Sequence, residues 1–151
     1  MDGATLITIG RISSPYKTSG DAPFQGRHAH DESRIEVFEA YEPALLNIEQ
    51  CTHLIVLYWG DRSDRSVLQT RTPWGPEVHG VFATRSPNRP NALCLCVVKL
   101  LERNGRFLKV QGLDALDGSP LIDIKPYSSQ VDSVPDACIG WHKNGDLKRG
   151  L

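Results

Sequence analysis

Arg85 and Arg89 stand four residues apart in the corner Arg85-Ser-Pro-Asn-Arg-Pro-Asn91, which two prolines stiffen. Pro87 and Pro90 fix their own φ and press Ser86 and Arg89 toward extended backbone, so little freedom is lost when the guanidinium groups engage an anion. A planar guanidinium meets two oxygens at once, which suits a carboxylate or a phosphate equally. Pro and Asn are also ordinary turn formers, and surface arginines commonly do no more than solvate a face. The residue types alone leave both readings open.

Other chemistries find less support. His28-Ala-His30-Asp31 sets two imidazoles one residue apart, but no further cluster near it completes a metal-ligand set. Cys51, Cys94, Cys96 and Cys138 show no Cys-x-x-Cys spacing. Cys94 and Cys96, on one face of a strand, lie too far along it for an easy disulfide, so the four are read as reduced, mostly buried thiols. A cysteine nucleophile needs a nearby base, and His53, His79 and His142 are scattered. No glycine-rich dinucleotide or phosphate-loop pattern occurs. Asp114, Asp117 and Asp123 follow one another closely, but acids in turns most often cap their own backbone.

The elements that must position these residues are short. Leu6–Ile12 is rich in β-branched residues and reads as a first strand, followed by a polar loop over 16–32 in which Gln25-Gly26-Arg27 allows close backbone approach to a ligand. Arg34–Phe38 alternates as a half-buried strand, and Tyr41–Gln50 predicts a short helix or turn over a barrel end. His53–Trp59 is an unbroken apolar run, the pattern of a central strand covered on both faces, and Asp61 and Arg62 follow at its mouth. Residues 66–79 read as irregular. Leu93–Leu101 and Phe107–Gln111 form a hairpin for which Asn104-Gly105 supplies a φ > 0 pair. Leu121–Ile124 is a last strand, and a short helix is expected around Asp136–Trp141. Short strands without a βαβ rhythm predict a mainly all-β chain, a mostly antiparallel closed or nearly closed sheet with short peripheral helices, in one domain over 1–151.

Charge is uneven although the net value is -1. Residues 62–106 carry 8 basic and 3 acidic side chains, against 4 and 9 in residues 1–61, so a local positive patch surrounds the arginine corner. The N-terminus Met1-Asp-Gly-Ala-Thr5 has no basic segment before an apolar one, and nowhere do 18 apolar residues run together. A soluble, cytoplasmic protein with no membrane partner is expected.

Several stretches together carry a resemblance. Ile9-Gly-Arg-Ile-Ser-Ser-Pro-Tyr-Lys17, Pro23-Phe-Gln-Gly26, Thr52–Trp59, Gly80-Val-Phe-Ala-Thr-Arg-Ser-Pro-Asn-Arg-Pro-Asn91 and Leu113–Tyr127 resemble, in order, the TsaA/TrmO-like family of tRNA methyltransferases. The resemblance implies a single-sheet barrel, paired as a homodimer, that binds S-adenosylmethionine near the interface. It further implies methyl transfer to the exocyclic amine of threonylcarbamoyladenosine beside a tRNA anticodon. Carried onto matching positions, the cofactor contacts are Gln25, Gly26, Arg27, Asp61, Arg62, Arg85, Leu95, Gln111, Gly112, Leu113 and Asp114. Arg89, Asn91, Asp123, Lys125 and Tyr127 are the candidates for substrate positioning or proton acceptance, and no metal is implied. The chain departs from the family where Pro-Ile-Gly-Leu-Ser usually follows Asn91 and Ala92-Leu-Cys-Leu-Cys96 stands instead, and Asp61 replaces a common histidine. Two other readings stay open: a cofactor-binding module without transfer activity, and a small-molecule methyltransferase, which the weak overall positive charge favours.

Overall fold

The computed structural model describes residues 3–22 and 30–142. The chain divides into two compact units, residues 1–62 with 93–127 and residues 63–92 with 128–151.

The first unit is a closed antiparallel barrel of six strands. In chain order these are β1 (Gly10–Ser13), β2 (Glu32–Val37), β3 (His53–Trp59), β6 (Leu93–Asn104), β7 (Phe107–Gln111) and β8 (Pro120–Pro126). Around the wall they run β1-β2-β7-β6-β3-β8, and β8 returns to β1. Alternation puts Ile12, Ile35, Leu54, Val56, Leu108 and Leu121 inside, each fully buried. The twelve-residue β6 pairs with β3 and then with β7, and its register shifts between Leu100 and Glu102, a bulge that bends the strand around the wall.

The seam between β1 and β8 closes the sheet. Gly10 pairs with Leu121, and the Ile9 and Ile12 amides donate to the Leu121 and Ser119 carbonyls at 2.9 and 3.0 Å. Gly10 is also where the wall is tightest, since a Cβ there would run into the backbone carbonyl of Glu36 and press on Leu121. Gly10→Ala is expected to lower stability by about 1–3 kcal/mol, as overpacking does. An unchanged urea midpoint would show that β2 shifts without cost.

The second unit holds a hairpin of β4 (Gln69–Thr72) and β5 (Gly75–Gly80), a one-turn 3-10 helix Val81–Ala83 and the four-residue helix α1 (Ser129–Asp132). Trp74 stacks on His142 and His79 stacks on Trp141, with ring centroids 4.5 and 4.1 Å apart.

The structure corrects several boundaries. The first strand starts at Gly10, not Leu6, and the last runs over Pro120–Pro126. Residues 66–79 contain the β4–β5 hairpin; its pattern was masked by Pro73 and Pro76. Segment 136–141 is not helical, and the one α-helical turn among the described residues sits at Ser129–Asp132. Tyr41–Gln50 is realised as two 3-10 helices, Glu39–Leu45 and Ile48–Gln50, with Asn47 at φ 71° between them. In the β6–β7 turn only Gly105 takes a positive φ, because Asn104 still pairs with Phe107 and the loop is Gly105-Arg106. Of the cysteines, all free, only Cys96 is buried; Cys51 and Cys94 are half-buried and Cys138 is exposed. No helix among the described residues is long and apolar enough to cross a membrane.

Candidate functional site

At the Trp59 end of β3, polar groups gather in the mouth of the barrel. Tyr58 and Cys96 both face inward, one strand apart, because Tyr58 pairs with Cys94 and strand alternation returns two residues later at Cys96. The Tyr58 hydroxyl donates to Asp114 Oδ1 at 2.8 Å, and the Cys96 thiol donates to the same oxygen at 2.8 Å. Asp114 Oδ2 accepts no hydrogen bond from the described residues. Burial first, then the Asp114 charge, pushes the Tyr58 hydroxyl far above its usual range, so it remains a donor at any working pH.

Asp114 reaches this position because Gly112 takes φ 100°, a left-handed turn that swings the chain inward after β7. Gln111, at the end of β7, donates its side-chain amide to the His30 carbonyl at 2.9 Å. The neighbouring Asp31 accepts the Tyr16 hydroxyl at 3.1 Å, and burial followed by this bond raises the Tyr16 pKa. Gln111, Gly112, Leu113 and Asp114 thus form one contiguous lip, with Leu113 fully buried beneath it. Gln25, Gly26 and Arg27 lie outside the described residues.

Arg62 works from the other side of the mouth. Its guanidinium donates to the Asp117 carbonyl at 2.9 Å and the Ser119 hydroxyl at 3.3 Å, while its Nε meets Asp61 at 3.2 Å. Asp117 in turn accepts the Ser14 amide at 3.0 Å and the Lys17 ammonium at 2.8 Å. The Lys17 bond and then the Ser14 bond hold its carboxyl below the ordinary carboxylate range. A depressed folded pKa contributes stability above the unfolded value of about 3.9, and that contribution is lost as pH falls through the folded pKa. Asp117→Asn is therefore expected to flatten the acid limb of the stability curve below about pH 4, by less than about 1 kcal/mol because water screens the pair. Denaturant midpoints at pH 6 and pH 2.5 that differ as much in the variant as in the parent would refute this.

Ser33, inward on β2 beside the Glu32–Gln111 pair, carries the one buried side-chain polar atom without a hydrogen bond among the described residues. Leu95 points the other way: it is 42% exposed on the outer wall of β6, while its neighbour Cys96 touches Asp114 inside.

Asp123 and Lys125 lie farther down β8, paired to each other at 3.2 Å. Both line a mainly apolar cleft of about 270 Å³ with Tyr41, Leu45, Cys51 and Leu54. Cys51 and Tyr58 are seven residues apart along extended chain, roughly 23 Å, so the cleft reaches from beside Tyr58, where Asp123 pairs with Leu57, toward the other barrel end. Tyr127 donates its amide to the His53 carbonyl at 3.1 Å at that same end. The fold thus gathers Asp61, Arg62, Gln111, Gly112, Leu113 and Asp114 at one mouth and sets Lys125 and Tyr127 farther along the wall, while Asp123 pairs with Leu57, next to Tyr58.

In the second unit, the proline corner is braced by its own arginines. Arg89 donates to the Thr84 and Ser86 carbonyls, both at 3.0 Å, and Arg65 donates to the Pro90 carbonyl at 2.7 Å. The Asp64 amide donates to Asn88 at 2.9 Å, and Arg65 reaches Asn91 at 3.5 Å. Arg89 is half-buried in this network, whereas Arg85 is exposed.

Sequence reasoning passes over Tyr58 and Cys96, members of apolar strands whose facing only the register reveals, and over Tyr16, which stands at the start of a polar loop.

Known proteins of similar sequence and shape bear on this arrangement. The family described as tRNA-methyltransferase O N-terminal domain matches residues 11–133. A probable S-adenosyl-L-methionine-binding protein of Archaeoglobus fulgidus is 56% identical over 97% of this chain and 40% of its own length. The human tRNA (adenine(37)-N6)-methyltransferase is 36% identical over 88% of this chain and 32% of its own. A crystal structure of TrmO superposes with a TM-score of 0.77 at 30% identity, covering 97% of this chain and 64% of that one. Barrel and mouth therefore belong to a class of domain built on a closed antiparallel sheet. The chain belongs to the tRNA-methyltransferase O N-terminal domain family. It spans less than half the length of the two relatives named above.

Proposed function

We propose that this chain is an S-adenosylmethionine-dependent methyltransferase acting on tRNA, and that it methylates the exocyclic amine of threonylcarbamoyladenosine next to the anticodon. The observation that carries the cofactor reading is Asp114: one carboxylate oxygen is held by two donors and the other is left to accept, as a ribose diol requires. Gln111 and the backbone of 111–113 flank it, and the family membership supports the same assignment. The names of the human and Archaeoglobus relatives support the tRNA target and the cofactor.

Bound there, the sulfonium supplies an already electrophilic methyl group, which leaves the protein to align the reactants and let the amine proton depart. Asp114 holds the diol, the 111–113 lip contacts the adenine, and Asp61 and Arg62 take the charged amino-acid end. Arg89 and Asn91 stiffen the arginine corner, and Asp123, Lys125 and Tyr127 are assigned to the tRNA. A cytoplasmic homodimer is the proposed working form, for which Leu93 and Leu95, both more than 40% exposed on the outer wall of β6, offer apolar surface to a second copy.

Arg85→Ala is expected to weaken S-adenosylmethionine binding by about 1.5–3 kcal/mol, the range for a hydrogen bond to a charged group. Unchanged affinity by calorimetry removes Arg85 from the site. The activity itself is tested by incubating the protein with methyl-labelled S-adenosylmethionine and total tRNA, then with total small metabolites. Label in a modified adenosine is the expected result. Label only in a metabolite would replace the tRNA reading, and binding without transfer would leave a cofactor-sensing module.

A further inference from the structure

Asp114 is only useful to a diol if its carboxylate is turned the right way, and nothing in its own backbone fixes that rotation. An aspartate carboxylate rotates over a broad well, so partners choose its plane. Two donors do so here. Tyr58 on β3 and Cys96 on β6 converge on a single oxygen, each at 2.8 Å. Both side chains are more than nine-tenths buried and belong to the barrel core, so their own rotamers are held by packing. A carboxylate with both donors on one oxygen presents its other oxygen outward, and no described residue occupies that oxygen.

We propose that Tyr58 and Cys96 are positioning residues that lock the Asp114 carboxylate, aim Oδ2 at the vicinal hydroxyls of a ribose, and thereby set selectivity for a nucleoside ligand with an intact diol. The inference rests on the reading of Asp114 as the ribose contact. It predicts that the two buried donors act only through those hydroxyls. A donor that merely supports the fold would affect every ligand of this mouth alike.

Calorimetry of S-adenosylhomocysteine and of its 2′,3′-dideoxy analogue, against the parent chain, Tyr58→Phe, Cys96→Ala and Cys96→Ser, separates these cases. Tyr58→Phe is expected to bind S-adenosylhomocysteine about tenfold more weakly, the cost of one hydrogen bond to a charged group, with the dideoxy analogue changed by less than about twofold. Cys96→Ala should lose in the same selective way, and Cys96→Ser, which keeps a donor, should recover most of the loss. Circular dichroism melts confirm that the variants fold, and if Tyr58→Phe does not, the two Cys96 variants decide alone. Equal losses for both ligands, or none for S-adenosylhomocysteine, overturn the inference and leave the cofactor reading standing. Failure of the parent chain to bind S-adenosylhomocysteine overturns both.

Discussion

Asp114→Ala is expected to weaken S-adenosylmethionine binding about 100-fold. Two diol hydroxyls donating to one carboxylate contribute at least about 1.5 kcal/mol each, and about 3 kcal/mol is two decades in affinity. The truncation has a second consequence, because it removes the acceptor of both the Tyr58 hydroxyl and the Cys96 thiol. A buried hydroxyl without a partner costs about 1–3 kcal/mol, so the same variant is expected to melt lower even without ligand. Asp114→Asn separates the two effects. It keeps an oxygen for Tyr58 and Cys96 but exchanges the outward oxygen for an amide that donates, so affinity should fall while the ligand-free melt stays close to the parent's. Calorimetric titration gives the affinity, and the rise in melting temperature with added ligand gives an independent value. Undiminished binding by Asp114→Ala would remove this carboxylate from the site.

Leu121→Ala is expected to destabilise the barrel by about 2–5 kcal/mol, toward the upper end of that range. Leu121 is fully buried and sits where β8 meets both neighbours, paired with Gly10 on β1 and with Tyr58 on β3. The cost of a cavity depends on how far its surroundings can collapse, and Gly10 has no side chain to move into the space. For a chain of this size that loss lowers the melting temperature by about 5–20 °C. Because Tyr58 is the cross-strand neighbour, cofactor affinity should weaken too, by less than in Asp114→Ala. A melting temperature within about 2 °C of the parent's would mean that the seam repacks or that closure contributes less than its geometry suggests.

The strands that were read well owe it to strong local signals. His53–Trp59 and Phe107–Gln111 match residue for residue because an unbroken apolar run and a turn-bounded β-branched segment each have one sensible conformation. Pro73 and Pro76 hid the β4–β5 hairpin, because the pattern rules demote any run that contains proline, whereas an edge strand tolerates it. The early start assigned to β1 has a different cause. Leu6 and Ile7 are apolar enough for a strand, yet they are 49% and 60% exposed, and pairing along the closing seam begins only near Ile9.

The site divides along the same line. Part of it was legible: Asp61-Arg62 stands as a charged pair at a strand end, Gln111 to Asp114 are legible only through the family resemblance, and a mostly antiparallel, closed or nearly closed sheet follows from strand spacing. Which of them meet was not legible, because it depends on register. The shift between Leu57 and Tyr58 against β8 places Tyr58 opposite Leu121, and the positive φ of Gly112 turns Asp114 inward beneath Tyr58. A slip of one residue would have sent Tyr58 and Cys96 to the outer wall with Leu95. Composition and order thus determined the sheet and the chemistry available to it. Closure of the barrel alone decided that one carboxylate receives two buried donors, because contacts across 18 and 56 residues of chain are a property of the packed whole and not of any local stretch.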